Sequence, residues 1–171
     1  INDRVLDIKS MFEEEISKNE QKISFSKGFI WLIEKDNVDS SKFYFNLSSN
    51  GNDRTINLYA KSLKQKVDKY NENMILYLDS NESNNIDSIA FNIANLLFFD
   101  FGAIQKSESY YLKIINSNND YKNLSYANLF KIDTLGGWDS LLYNSLKDSI
   151  KYHKMIDSQV KGDHLSRIKT I

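Results

Sequence analysis

The 171-residue sequence contains no cysteine and no proline, and it has only six glycines. Without cysteine, disulfides, thiolate chemistry and Cys-ligated zinc or iron–sulfur sites are excluded. Without proline and with so little glycine, no linker stands out, and this favours one compact unit. Asn and Ser are left to form the turns, which they do through local side-chain hydrogen bonds.

Strong charge of one sign and long apolar runs are also missing. The formal net charge is −1, whereas a general nucleic-acid-binding domain carries a basic excess. No run of about 18 apolar residues is present, so we expect no membrane insertion. We expect a soluble, cytoplasmic protein with no cofactor, and a processed or exported form is the alternative. The frequent Asn, Lys and Ile are typical of an AT-rich genome, which suggests a bacterial or mobile-element origin.

The composition that remains is that of an ordinary globular protein, 41% hydrophobic and 26% charged. Residues 28–34 form a continuous apolar run, typical of a buried strand. Residues 42–48 and 54–60 alternate apolar and polar side chains on either side of an Asn-Gly pair, which predicts a β-hairpin. In the first of these, Phe43, Phe45 and Leu47 share one face. Together the three segments predict a central antiparallel meander.

Apolar residues three and four positions apart predict helices at about 3–18, 61–71, 86–98 and 138–152. The stripe of the first is Val5, Ile8, Phe12 and Ile16, and that of the second is Leu63, Val67 and Tyr70. The third is apolar on nearly every side, so we expect it to be buried and to end at Gly102.

Further strands are predicted at 75–79, 110–115 and 126–132. The predicted fold is therefore α/β, of the α+β type, with a mixed and mostly antiparallel sheet packed by the helices. It forms a single domain over 1–155, and a basic tail at 156–171 has the composition of a flexible end.

The predicted order of elements over residues 3–115 resembles that of GNAT acyltransferases. Ala94, Leu97, Phe98 and Gly102 match in spacing a pattern of that family, A-x-x-L-Y-x-x-x-G, at the end of its fourth helix. The family's Gly-rich loop, whose backbone amides hold the cofactor pyrophosphate, is missing, because segment 57–66 reads NLYAKSLKQK. The resemblance therefore implies a degenerate acyltransferase.

A polar loop follows the strand predicted at 75–79, and it supplies the candidate ligand or metal-binding residues Asp79, Asn81, Glu82 and Ser83. Oxygen-bearing side chains at positions 79, 81 and 83 match the first half of a calcium-binding loop. The second half does not match, because Asn84 replaces the required Gly and Ala90 replaces the required Glu. The alternative is a loop whose Ser and Asn side chains cap the next helix.

Two other groups of side chains are candidate binding surfaces. Tyrosines that lie partly outside a core make adaptable protein-binding surfaces, and here they are Tyr44, Tyr59, Tyr110 and Tyr111. A basic group on the 61–71 helix could contact phosphate, and it consists of Lys61, Lys64, Lys66 and Lys69. The ordinary alternatives are cross-strand packing for the tyrosines and a solvated helix face for the lysines.

No P-loop, dinucleotide-binding or kinase motif is present, and we assign no catalytic residue and no metal site. The leading hypothesis is a non-catalytic protein-interaction module, such as an inhibitor, immunity, adaptor or sensor-type domain, with another protein as its partner. The alternative is an enzyme, either GNAT-like or metal-dependent through the Asp79 loop. Nucleic-acid contact through the lysines and the tail ranks lowest. The sequence leaves the oligomeric state open.

Overall fold

Helices joined by short loops make up the part of the chain that the structure describes. A computed structural model describes residues 2–79, 85–117, 120–146, 151, 153 and 154. The helices are α1 (Asn2–Ile33), α2 (Val38–Ser48), α3 (Arg54–Asp79), α4 (Ile86–Asn95), α5 (Ile104–Ile115), α6 (Lys122–Ile132) and α7 (Trp138–Leu146), and a π-helical turn at Leu96–Asp100 follows α4. The chain divides into two compact units, unit 1 (Ile1–Asn71) and unit 2 (Glu72–Ile171). The tail predicted at 156–171 lies outside the described residues.

The predicted α/β fold is wrong, because the described ranges contain no β-strand. The three segments predicted as a meander lie at the end of α1, in α2 and at the start of α3. The three further predicted strands lie at the end of α3, in α5 and in α6. The fold that the resemblance to GNAT acyltransferases implies is therefore wrong as well. Ala94 and Leu97, which match that family's pattern, are buried positions on a helix and on its π-helical extension.

The alternating pattern of residues 42–48 does not mark a strand, because the buried face of α2 is partly polar. α2 buries Ser41, Phe45 and Ser48, whose spacing of four and three residues is that of one helix face. Phe43 and Leu47, which the strand prediction places on one face with Phe45, are exposed. Because two of the three buried positions are serines, the apolar residues of α2 do not repeat with the period of a helix.

Small residues bring α1 and α2 close together in unit 1. Ser41 Oγ donates a hydrogen bond to the Gly28 carbonyl at 2.8 Å, and Ser48 Oγ donates to the Gln21 carbonyl at 3.3 Å. A Cβ atom on Gly28 would lie 2.6 Å from a ring carbon of Phe45. The close approach of the two helices therefore requires glycine at this position.

The loop between α2 and α3 is held by Gln21, a buried amide on α1. Its Nε2 donates to the Ser48 carbonyl (2.8 Å), the Asp53 carbonyl (3.2 Å) and Asn57 Oδ1 (2.6 Å). Its Oε1 accepts the Asp53 N–H at 2.8 Å. Gly51 leaves room for this amide, because a Cβ there would overlap the Gln21 Cδ atom. The segment predicted as a hairpin turn is thus a loop between two helices.

The predicted helices are confirmed in their described parts. α1, α3 and α7 contain the segments predicted at 3–18, 61–71 and 138–152, and α4 with its π-helical turn contains the one at 86–98. α3 buries the predicted stripe of Leu63, Val67 and Tyr70. Ile16 departs from its prediction, because it is exposed on α1.

Unit 2 has a core to which α4, α5 and α6 contribute Ala90, Phe91, Ala94, Tyr111, Ile114 and Leu129. α7 adds Leu142, which is buried in a cluster with Tyr126 and Ala127 of α6. The strongly apolar α4 is buried on most sides, as predicted. Its π-helical extension ends before Gly102, whose φ of +66° is the left-handed conformation that favours glycine.

α1 and α3 are the longest helices, with 32 and 26 residues. Charged side chains interrupt both at short intervals, and a bilayer core does not tolerate such a pattern. Within the described ranges, no helix is long and apolar enough to cross a membrane.

Candidate functional site

An aromatic surface lies in unit 1 where the end of α1 packs beside α2. Trp31 stacks on Tyr44, with ring planes 12° apart and ring centroids 6.5 Å apart. Phe43 makes a T-shaped contact with the Tyr44 ring at a centroid distance of 5.3 Å. Phe43 and Leu47 are 61% and 51% exposed, and they lie one turn apart on the same side of α2. We call Trp31, Phe43, Tyr44 and Leu47 the aromatic patch.

The aromatic patch stands beside a cluster of three rings, of which Phe45 is buried and Phe25 and Phe29 are half-buried. Phe45 is fully buried, and it makes T-shaped contacts with Phe25 and Phe29 of α1 at centroid distances of 5.8 and 5.2 Å. Side chains on packed helices keep their positions better than side chains on loops. The exposed rings are therefore presented to solvent in a fixed arrangement.

Lys27 places a positive charge at the edge of the aromatic patch. Its Nζ lies over the Tyr44 ring, 5.4 Å from the centroid, which is a cation–π arrangement. On another side of α2, Lys42 forms an ion pair with Asp68 of α3. The hydrogen bond and the charge of Asp68 raise the pKa of Lys42 above its ordinary value. Lys42 is thus engaged within the fold, whereas Lys27 presents its charge beside the patch.

This arrangement is suited to binding. Exposed aromatic and aliphatic side chains form the centres of protein interfaces. The aromatic patch can cover an apolar side chain of another molecule, and Lys27 can face a neighbouring carboxylate.

The four predicted tyrosines differ in their surroundings. Tyr44 lies in the aromatic patch, and Tyr59 is half-buried on α3. Tyr110 is half-buried in unit 2, where its ring makes a T-shaped contact with Tyr77 at 5.6 Å. Tyr111 is fully buried, so it contributes to no exposed surface.

Tyr111 belongs to a buried polar network in unit 2. Its Oη donates to Asn95 Oδ1 at 2.7 Å, and Asn128 Nδ2 donates to Tyr111 Oη at 3.1 Å and to Asn95 Oδ1 at 3.2 Å. Burial raises the pKa of Tyr111 far above its ordinary value, so the hydroxyl stays protonated. The network joins α4, α5 and α6, and its role in the fold is structural.

The predicted basic residues all lie on α3 in unit 1. Lys61 and Lys69 are exposed, whereas Lys64 and Lys66 are half-buried. Lys64 Nζ donates to Asn46 Oδ1 at 2.9 Å. At 100° per residue, the four lysines are spread over about 200° of the helix circumference. Nucleic-acid contact through them stays a prediction.

The polar loop that begins at Asp79 lies mostly outside the described residues. Asp79 is exposed at the end of α3, while Asn81, Glu82 and Ser83 fall in the undescribed range. Among the residues that are described, no group of three or more Asp, Glu or His side chains could hold a metal ion. Metal binding by this loop stays a prediction.

Sequence reasoning misses Trp31, Phe43 and Leu47. The strand interpretation puts the last two on one face with Phe45 and leaves no reason to expect them in solvent. The signal that identifies them is the spacing of Ser41 and Phe45, which defines a helix face. Phe43 and Leu47 then fall on the opposite side of α2.

Comparison of the chain with protein-family models, with curated proteins and with solved structures finds no significant match. The function is therefore inferred from the residues of the chain itself.

Proposed function

We propose that this chain is a non-catalytic protein-interaction module that binds another protein through the aromatic patch. The observation that carries the proposal is the exposure of Phe43 and Leu47 beside the stacked rings of Trp31 and Tyr44. Apolar surface gains about 25 cal/mol per Å² when it is removed from water, so covering these side chains supplies a driving force. Trp and Tyr beside them are residue types enriched at interface hot spots.

The patch fits a partner that presents an apolar side chain next to a carboxylate. The apolar group would cover Phe43 and Leu47, and the carboxylate would face Lys27 at the edge of the Tyr44 ring. Such charge matching fixes orientation and speeds association more than it adds affinity. An inhibitor, an immunity protein, an adaptor and a sensor-type domain would all use a surface of this kind.

The first experiment asks whether a protein contacts the patch in cells. A photo-crosslinking phenylalanine analogue replaces Phe43 in the full chain, and a control carries it at Leu135, which is almost fully exposed in the α6–α7 loop. We expect a discrete covalent adduct from position 43 and none from position 135. Equal labelling at both positions contradicts the proposal.

The second experiment measures the affinity of the crosslinked protein after purification. Because truncation of a hot-spot side chain costs about 2 kcal/mol or more, Phe43→Ala should raise the Kd about 30-fold. Leu135→Ala, a matched change at an exposed site, should leave the Kd unchanged. An unaltered Kd for Phe43→Ala, with an unaltered helical circular dichroism spectrum, overturns the proposal. The partner's own activity, measured with and without this chain, then separates inhibition from scaffolding.

A further inference from the structure

The solvent side of α1 carries an apolar line. Ile16, Ile23 and Ile30 are 57%, 54% and 42% exposed, and they follow one another at intervals of seven residues. Seven residues return to nearly the same side of a helix, with a drift of about 20°. Polar residues normally occupy the solvent side of a surface helix, but on α1 they flank this line. We call these three residues the isoleucine stripe.

The isoleucine stripe faces away from α2. The side of α1 that packs on α2 consists of the buried residues Gln21, Ser24, Gly28 and Leu32. At 100° per residue, the centres of the two sides lie about 145° apart around the helix axis. The packing of α1 on α2 therefore leaves the stripe uncovered.

The regular spacing of the stripe allows it to pack against the stripe of a second copy when the two α1 helices run in opposite directions. In an antiparallel pair centred on Ile23, this residue faces its counterpart in the second copy. Ile16 then faces Ile30 of the second copy, and the symmetry repeats that contact at the other end. All three isoleucines are covered in one register, over a length of about 21 Å along the helix.

The residues that flank the stripe match in the same register. Glu20 and Lys27 lie along one side of the stripe, Asn19 and Ser26 lie along the other, and all four are exposed. In antiparallel helices each side meets the same side of its partner, so Glu20 approaches Lys27 of the second copy, twice by symmetry. Asn19 approaches Ser26 in the same way. Opposite charges therefore meet on one side, twice, and hydrogen-bonding groups meet on the other, where Lys22 lies farther round the helix and comes near its own counterpart once.

A parallel arrangement would oppose like charges. In parallel helices, one side of the stripe meets the other side of its partner. Glu15 would then approach Glu20 of the second copy, and Lys22 would approach Lys27. The charges of α1 thus favour the antiparallel pair and disfavour the parallel one.

We infer that two copies of this chain associate through antiparallel isoleucine stripes on α1 and form a symmetric dimer. The interface is small, so its dissociation constant is expected to be on the order of micromolar. It uses none of the four residues of the aromatic patch, but it shares Lys27, which lies at the edge of that patch. Phe43→Ala therefore tests partner binding alone, and Ile23→Lys tests self-association alone.

Sedimentation velocity of the full chain over a concentration series tests the inference. The wild type should shift from monomer to dimer, and Ile23→Lys should weaken dimerisation about 100-fold, because it buries two like charges at the centre of the interface. Leu58→Lys, at an exposed leucine of α3, should dimerise like the wild type. Helical circular dichroism confirms that each variant is folded. A wild type that stays monomeric at its highest soluble concentration overturns the inference.

Disulfide trapping tests the direction, and the absence of native cysteine leaves no background. Ile23→Cys should form disulfide-linked dimers by itself. Asn19→Cys and Ser26→Cys should link to each other when mixed and not when alone, because like positions lie about 10 Å apart in an antiparallel pair and a disulfide spans at most about 7 Å between Cα atoms. Efficient self-linking of Asn19→Cys indicates a parallel pair and overturns the inference.

Charge reversal supplies an independent test of the register. Glu20→Lys and Lys27→Glu should each weaken dimerisation, because each brings like charges together. The double variant should restore it, since the ion pairs form again with their signs exchanged. Failure of the double variant to recover, with both single variants weakened, contradicts the proposed contact between these residues.

Discussion

Replacing Gln21 with leucine tests whether one buried amide holds the α2–α3 loop of unit 1. Leucine has nearly the volume of glutamine, so it keeps the packing of α1 on α2. The change removes the hydrogen bonds of Gln21 to the Ser48 carbonyl, to Asn57 Oδ1 and to both backbone groups of Asp53. Beside them, an exposed hydrogen bond from Asn52 Nδ2 to Ser17 Oγ at 3.2 Å also joins the loop to α1.

The magnitude follows from this set of hydrogen bonds. Nε2 has two protons for three acceptors, so with Oε1 the amide makes about three effective hydrogen bonds. Each contributes about 1 kcal/mol net, and a buried partner left unpaired costs about 1–3 kcal/mol. Water reaches the part-buried Asn57 and Asp53 and recovers some of that loss. We therefore expect Gln21→Leu to lower the free energy of unfolding by about 3 kcal/mol.

Urea unfolding followed by tryptophan fluorescence measures this change. In a Trp138→Phe background, Trp31 is the remaining tryptophan and reports on unit 1. Gln65→Leu is the matched control, because Gln65 is exposed on α3, and its effect should stay within about 0.5 kcal/mol. If Gln21→Leu unfolds at the same urea concentration as the control, the Gln21 hydrogen bonds do not stabilise the loop and the reasoning fails.

Two further predictions concern a buried hydroxyl and an exposed ion pair. Tyr111→Phe removes a donor and an acceptor from the buried network of unit 2, so it should lower the free energy of unfolding by about 1–3 kcal/mol. Tyr59→Phe, at a half-buried ring, should cost less than about 0.5 kcal/mol, and equal losses would show that the network contributes nothing. The hydrogen bond and charge of Lys18 lower the pKa of Glu14, so this carboxylate favours folding above its unfolded-state pKa, and the effect disappears as pH falls through its folded-state pKa. NMR titration should show the pKa of Glu14 returning upward to the ordinary glutamate value in Lys18→Gln, and an unchanged value would contradict the pairing.

Sequence reasoning located the helices whose buried faces are apolar. The stripe of Leu63, Val67 and Tyr70 on α3 is one example, and the apolar α4 is another. These segments show the helical period in hydrophobicity alone, because the residues of these buried stripes are apolar. Gly102 marks the end of the π-helical turn for a similarly direct reason, since its φ is positive.

Helices with serine on their buried face were predicted as strands. The buried face of α5 is Ser107, Tyr111 and Ile114, with the same spacing as the buried face of α2. From the sequence, a serine is expected on the surface, so Ser107 does not indicate a buried face. Tyr110, Tyr111 and Ile114 then form a run of aromatic and β-branched residues that is typical of a strand. The helical face becomes visible only when a small polar residue is allowed in the core, where its hydroxyl bonds to a backbone carbonyl. Ser107 Oγ does this with the Ile104 carbonyl at 2.7 Å.

Small and polar residues also occupy part of the buried face of α1, and this helix exposes isoleucines on its other side. Its α2-facing side must stay small at Gly28, because a Cβ there would meet the Phe45 ring, and polar at Gln21, because that amide holds the loop. A larger apolar side chain on that side would push the two helices apart. Phe25, Phe29 and Leu32 still pack toward α2. The isoleucines lie on the side that faces away from α2, where Ile23 and Ile30 gain free energy only when something covers them. The proposed antiparallel pair would cover Ile23 and Ile30 and would bring Glu20 near Lys27 of the second copy, which is the contact that the charge-reversal variants test.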